Sequence, residues 1–426
     1  MKKTLFYFFL ALLLLPAMQK EVHILKLSPL EGSFHPAKDI RLSLNRWFKT
    51  EYQTSKETFL KENIGFRPAF VRGYNQILYS LFNMAHNPGG VVGKDNYLYL
   101  ESYIFNKTGE NFVGYSKINT ISTRLKYLQD YFSQHNIDLL TVFVPSKASF
   151  FPEYIPDRYQ DFPINNYQAY LNKFDSLNIN YIDLNKYLID QKETAAYPMF
   201  SKNGLHWTDY GMALGMDSLI KKIEDMRHAD LPEFSWEEPI KLSPMTFVTD
   251  YDAENLMNIL IEMPRDSMPY PKFNFSSDSG KTKPKTVVIS DSYYWRAYKA
   301  KIPHHVFRWG GFWYYFNTAR DQANGKEQIS PVKKFNLKKK LLQQDVIILF
   351  ASQATLHIFP YGFVEKVYPL IIPADLDLLT KYYRKKIIDN ADWMEKIKEK
   401  AKRNNFSVDE QISKDALWMA KRHPKK

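Results

Sequence analysis

The chain contains no cysteine in its 426 residues. That absence removes disulfides, thiolate metal sites, a cysteine nucleophile and lipoprotein attachment together. Covalent chemistry must therefore come from oxygen and imidazole, and no metal or cofactor is expected. Concentrated charge is also missing. The formal net charge is +12, yet Lys and Arg are dispersed apart from Lys333, Lys334, Lys338, Lys339 and Lys340 and the Lys-rich C-terminus. No recognition motif accompanies them, which argues against nucleic acid as a partner. An anionic polysaccharide, an anionic membrane surface or plain solvation would each suit a basic surface. A nucleotide loop is lacking as well: no strand precedes Gly89, Gly90 and Gly93, and Lys94 to Asn96 followed by Tyr97 to Leu100 reads as a hairpin turn into a strand.

What is present describes a globular protein large enough for one substantial α/β domain with additions or for two modest ones. Hydrophobic residues make up 45% and aromatics 16%, an excess of Tyr and Phe that suits stacking on sugars as well as ordinary packing. Lys2 and Lys3 precede an apolar run from Leu5 to Met18 broken by Pro16, the pattern of an export signal. Pro16, Ala17 and Met18 give no clear pair of small residues for cleavage, so residues 1–26 read as a signal peptide or an uncleaved anchor in the inner membrane. Export places the protein in the periplasm. Residues 27–90 follow as a linker and two helices, Leu44 to Glu62 and Pro68 to Phe82. In the second, Phe70, Tyr74, Ile77, Leu78 and Leu81 share one face, which the spacing predicts to face a core.

From there strands and helices alternate. Ile118, Ile121, Leu125, Leu128 and Phe132 mark a helix, and Leu139 to Val144 an apolar strand ending at Pro145, Ser146 and Lys147. Tyr167 to Phe174 is a helix, Tyr181 to Leu184 a strand, and a further helix follows Trp207 with Thr208 as its N-cap. Strands are then expected at Thr286 to Ile289, His305 to Arg308 and Val346 to Phe350. The stretch from Asp230 to Pro284 reads as an insertion. Alternation with apolar strands implies a mainly parallel sheet covered on both faces. Residues 371–426 form a charged helical tail, where Ser407 and Glu410 make a capping box opening a helix from Val408 to Arg422.

In such sheets functional groups gather at the carboxyl ends of strands. Ser292 follows the Thr286 strand through Ser290 and Asp291. If a helix starts there, its N-terminal N–H groups would favour a developing oxyanion. His206 is the candidate base, and Lys147 and Asp183 also close strands. Each has a plainer reading: Ser292 a helix cap, Lys147 a solvated loop lysine, Asp183 a turn former, His206 and Trp207 a packing pair. The cluster Gly310 to Phe316 is either a carbohydrate platform or core.

Four motifs run in one order: Val92, Gly93, Lys94 with Tyr97 to Tyr99; Val144 to Lys147 with Phe151 to Pro156; Gly204 to Thr208; and Ile289 to Ser292. Across roughly Val91 to Phe359 this order resembles the SGNH-hydrolase-like alginate O-acetyltransferases of the AlgX and AlgJ type. The resemblance implies an SGNH-like three-layer α/β/α domain over residues 91–370 that moves acetyl groups onto an exopolysaccharide. A membrane-bound O-acyltransferase would deliver the acetyl group. It maps the nucleophile to Ser292 and the base to His206; Asp291 and Asn203 are the further catalytic candidates, and Lys147, Trp207, Tyr293 and Trp313 the candidates for holding substrate. The family's Asp two residues before the histidine is Gly204 here, and the esterase Asp three residues before it is Asn203. Asn203 is thus the expected partner of the imidazole, in preference to Asp209. Loss of the acid leaves a second possibility, an inactive polysaccharide-binding or assembly subunit.

Overall fold

The computed structural model describes residues 2–32, 37–244, 247–323, 326–372 and 374–422. Positions 33–36 of the linker and 423–426 at the C-terminus, which hold the last two lysines, lie outside the described residues. The chain divides into two compact units that are interleaved in sequence, unlike the contiguous segments that the sequence suggests. The first comprises Met1–Glu101, Ser201–Leu205 and Pro244–Ser267, and the second Ser102–Phe200, His206–Ser243 and Met268–Lys426.

In the first unit, Lys2–Val22 is one helix, long and apolar enough to cross a membrane by length and composition. The helix expected over 44–62 is two, Leu44–Phe48 and Glu51–Glu62, because Thr50 between them adopts a left-handed conformation (φ 60°) that a helix cannot accommodate. Arg67–Phe82 is helical, with Pro68 in its first turn. Its apolar face is not a core face: Phe70, Tyr74, Ile77 and Leu81 are 57, 53, 55 and 72% exposed. The expected hairpin forms, Gly90–Val92 pairing antiparallel with Leu98–Leu100.

The second unit is built on a seven-stranded sheet: β1 Asp138–Val144, β2 Tyr181–Asp183, β3 Lys285–Ser290, β4 Arg308–Tyr314, β5 Thr318–Ala323, β6 Lys326–Pro331 and β7 Val346–Ser352. Its order is β6-β5-β4-β3-β7-β1-β2. The five strands from β4 to β2 are parallel, and β5 and β6 add an antiparallel edge. Alternate residues serve opposite faces, as a pleated strand requires. Leu139, Phe143, Val287, Ile289, Ile347 and Leu349 pack in one cluster with the helices Tyr115–Ser133 and Asn166–Leu177. Leu140, Val142, Val288, Ile348 and Phe350 pack in the other with Asp209–Arg227. Helices on both faces of a mainly parallel sheet make the three-layer α/β/α arrangement expected.

Two details differ. The segment expected as a strand at His305 is a short helix, Ile302–Val306, with Pro303 in its first turn, and the strand begins at Arg308. The tail is helical as expected, in three pieces, Ala374–Ile388, Ala391–Arg403 and Val408–Arg422. Ser407 caps the last: Glu410 N–H donates to its Oγ at 3.2 Å, and its own N–H donates to the Glu410 carboxylate. Ile387, Ile397, Ile412 and Ala416 give these helices a small core.

Candidate active site

Strand β3 delivers the nucleophile candidate through a turn that a buried carboxylate organises. Asp291 is fully buried, and its Oδ1 accepts the Tyr293 N–H at 3.0 Å. Its Oδ2 accepts the Ser352 N–H (2.9 Å), Ser352 Oγ–H (2.6 Å), Thr355 Oγ1–H (2.7 Å) and, at 3.3 Å, the Tyr361 hydroxyl. Charge-assisted bonds of this number offset the desolvation of a buried carboxylate. Burial, reinforced by the negative charge of Asp291, pushes the Tyr361 hydroxyl well above its ordinary pKa, so it remains a donor. Asp291, expected as catalytic, is instead placed as a structural hub: it is buried, and both its oxygens accept hydrogen bonds from the protein. The segment after it is also shorter than expected. Ser292–Tyr294 is a 3₁₀ turn capped by Asp291, and Trp295–Lys299 is a helix of 5 residues. Little macrodipole can act there, and the Tyr293 N–H is already spent on Asp291.

Ser292 itself is half-buried, and its Oγ lies 2.8 Å from His206 Nε2. His206 comes from the loop before the helix Asp209–Arg227. Thr208 caps that helix, its Oγ1 accepting the Gly211 N–H at 3.2 Å, and its own N–H donates to Met199 O at 2.8 Å. The Tyr293 ring packs against the imidazole, centroids 4.9 Å apart. Trp207 Nε1–H donates to the Tyr293 carbonyl at 3.1 Å.

The residues expected to hold substrate turn inward. Trp207, Trp313, Lys147 and Tyr293 are at most 1% exposed. Trp207 and Tyr293 form the wall behind His206 and Ser292, Trp313 packs at a tilt against Phe316 and Phe335 in the core, and Lys147 begins the short helix Lys147–Phe150. Of the aromatic cluster, Phe312, Trp313 and Phe316 are buried, and only Tyr314 and Tyr315 are partly exposed. Asp183 takes its plainer role, capping the helix Leu184–Asp190 through Lys186 N (2.9 Å) and accepting the Tyr167 hydroxyl (2.7 Å).

The segment before the histidine belongs to the first unit. Asn203 is buried, and its Nδ2 donates to Glu254 Oε2 at 3.0 Å and to Pro264 O at 3.3 Å. Its Oδ1 has no hydrogen-bond partner among the described residues. The expected bond from the imidazole to Asn203 is thus not formed, because Glu254 and Pro264 fix the amide through its nitrogen. Gly204 departs from the family pattern for a steric reason: a Cβ there would lie 2.5 Å from Thr249 O and 2.7 Å from Asp250 C. The insertion's main chain occupies the space an Asp side chain would need. The same insertion supplies Asp252, whose Oδ1 accepts the N–H of Leu205, directly before His206, at 2.8 Å. Asp209 is engaged elsewhere, in an ion pair with Arg296 (Nη1 to Oδ1, 2.8 Å).

Sequence reasoning missed Asp252, Arg296, Ser352, Thr355 and Tyr361. For Ser352 a signal existed: β7 runs parallel beside β3 with Phe350 opposite Ser290, so the two polar strand ends fall together.

Residues 91–240 match the model of a family described as SGNH hydrolase-like domain, acetyltransferase AlgX. The resemblance read from the motifs is thereby shown. The matched stretch includes His206 and ends before Ser292, so the pairing of the two rests on the geometry above. Among solved structures, the O-acetyltransferase domain of Pseudomonas putida AlgJ is 14% identical, with a TM-score of 0.42 over 66% of this chain and 99% of that one. Pseudomonas aeruginosa AlgX is 12% identical, with a TM-score of 0.41 over 65% and 67%. Bacillus cereus PatB1 is 13% identical, with a TM-score of 0.35 over 59% and 93%. No curated protein matches the sequence.

Proposed function

We propose that this protein is an O-acetyltransferase that carries an acetyl group on Ser292 and passes it to a hydroxyl of an exopolysaccharide, with His206 as the base. The observation that carries the reading is the 2.8 Å bond between His206 Nε2 and Ser292 Oγ, within the reach that proton transfer needs. In the first step His206 takes the Ser292 proton while Oγ attacks the acetyl carbonyl. The imidazolium then protonates the leaving oxygen of the donor, and an acetyl-serine ester remains. In the second step a sugar hydroxyl gives its proton to His206 and attacks that ester. Ser292 recovers its proton as the acetylated sugar leaves. The donor would be supplied by a membrane-bound O-acyltransferase, with Lys2–Val22 anchoring the protein on the periplasmic side.

Full-length protein purified in detergent should release nitrophenol from a chromogenic acetyl ester, and Ser292→Ala should not. Equal turnover by the two proteins would overturn the proposal. Mass spectrometry of the membrane fraction should find the N-terminal segment intact; a soluble form beginning near Lys20 would remove the anchor. Asn203 and Gly204 at the usual acid positions favour a second reading, a polysaccharide-binding subunit without turnover. It would be supported by wild-type protein that retains an acetylated polysaccharide on a column yet cleaves no ester.

A further inference from the structure

The bond between His206 and Ser292 is accompanied by at least two others that join the same two segments. One residue further along each, Trp207 Nε1–H donates to Tyr293 O at 3.1 Å. Beyond that, Arg296 Nη1–H donates to Asp209 Oδ1 at 2.8 Å. The pairings run in the same direction along both segments, 206 with 292, 207 with 293 and 209 with 296, and the catalytic pair is the upstream end of the series.

The ion pair is enclosed, with the Arg296 and Asp209 side chains 5% and 14% exposed. A pair in that position is a poor way to gain stability, since desolvation consumes most of the attraction and apolar residues of similar volume often serve as well. What a charged, directional bond provides and an apolar contact does not is a fixed distance. The Ser292 side of the site needs one. It consists of a 3₁₀ turn and a 5-residue helix, and so short a helix has little stiffness of its own. Asp209 and Arg296 lie in the first turns of the two helices that follow the catalytic residues.

We infer that Asp209 and Arg296, with the Trp207 indole as a second brace, are positioning residues that hold His206 Nε2 within hydrogen-bonding reach of Ser292 Oγ. Asp209 then serves the histidine through the segment they share and not by touching its ring. The catalytic meaning of this clamp rests on the proposed acetyl transfer; its geometric effect does not.

The test uses full-length protein and compares wild type with the double variant Asp209→Leu, Arg296→Met and with Asp209→Asn, Arg296→Lys and Trp207→Phe. Melting temperature, kcat and KM on an acetyl ester, and the ¹⁵N signal of the His206 imidazole are read for each, with Ser292→Ala marking the signal of the broken bond. The apolar pair should melt near the wild type, keep KM within about twofold and lose about 100-fold in kcat, the usual cost of an ångström of misplacement. Its imidazole signal should move to the Ser292→Ala position. Arg296→Lys, which keeps the charge, should retain most of kcat, and Trp207→Phe should lose about tenfold or less. Wild-type kcat and imidazole signal in the apolar pair would overturn the inference. If that pair does not fold, Asp209→Asn decides by the same two readouts. A wild-type protein that is inert, but whose imidazole signal still moves in the clamp variants, would remove the acetyl-transfer reading and leave the positioning role standing. An imidazole signal in wild type already equal to that of Ser292→Ala would remove the clamp.

Discussion

Two helices of this chain carry nearly the same pattern and meet opposite fates. Tyr115–Ser133 places Ile118, Ile121, Leu125, Leu128 and Phe132 on one face, all buried against the sheet. Arg67–Phe82 places Phe70, Tyr74, Ile77 and Leu81 on one face, all more than half exposed. Helical spacing of apolar residues therefore identifies the helix and its apolar face in both units. It does not say what covers that face, because burial depends on which other segments arrive. In the second unit the strands β1, β3 and β7 arrive from positions as far as more than two hundred residues away, and the candidate site assembles at their ends.

The contrast between the unit that holds the proposed active site and the one that does not can be broken most directly at His206 and Ser292. Ser292→Ala or His206→Ala should cost on the order of 10⁴-fold or more in ester turnover, with an unchanged melting temperature. Residual activity near wild type in either variant would separate the chemistry from this sheet edge. The next largest effect is on stability. Phe132→Ala should destabilise the second unit by about 3–5 kcal/mol in denaturant unfolding, and Ile77→Ala should change stability by no more than about 0.5 kcal/mol. Equal costs would show that the exposed face of Arg67–Phe82 is covered in solution.

Asp291→Asn sharpens the comparison inside the sheet unit. It converts an acceptor of several donors into a group that meets one of them with its own N–H, and a loss of about 3 kcal/mol is expected. Activity should fall with it, since the turn presenting Ser292 depends on that carboxylate. At the boundary of the first unit, Asp252→Ala should lower ester turnover more than Asn203→Ala does, by about tenfold. Asp252 holds the main-chain N–H directly before His206, whereas Asn203 Oδ1 holds nothing among the described residues. The reverse ranking would return the orienting role to Asn203.

The smallest effect is one of pH. Burial, aided by Lys117, lowers the pKa of His357 from its ordinary 6.5. The unfolded chain therefore binds that proton first as pH falls, and the stability contributed by neutral His357 is present above pH 6.5 and lost below it. His357→Gln should flatten the acid side of the stability profile, as read by melting temperature against pH. An unaltered slope would mean that the proton is taken up elsewhere.

The sequence by itself determined the alternation of strands and helices, the mainly parallel sheet and the apolar N-terminal segment, and it singled out the two residues, His206 and Ser292, that the structure brings within 2.8 Å. These depend on local physics: periodicity, capping and the abrupt end of an apolar strand in polar residues. His206 was legible because Thr208 opens a helix just after it, and Ser292 because Thr286 to Ile289 ends just before it. Only the tertiary structure decided what surrounds them. Trp207, Tyr293 and Trp313 have the composition of a sugar-binding face and are walls and core instead, because aromatic rings serve both uses equally well until their neighbours are known. Asp291 sits beside the nucleophile in sequence, yet its role is set by Ser352, Thr355 and Tyr361, some sixty to seventy residues later. Gly204 reads as a lost acid along the chain and is, in space, the position where the main chain of Thr249 and Asp250 leaves no room for a side chain.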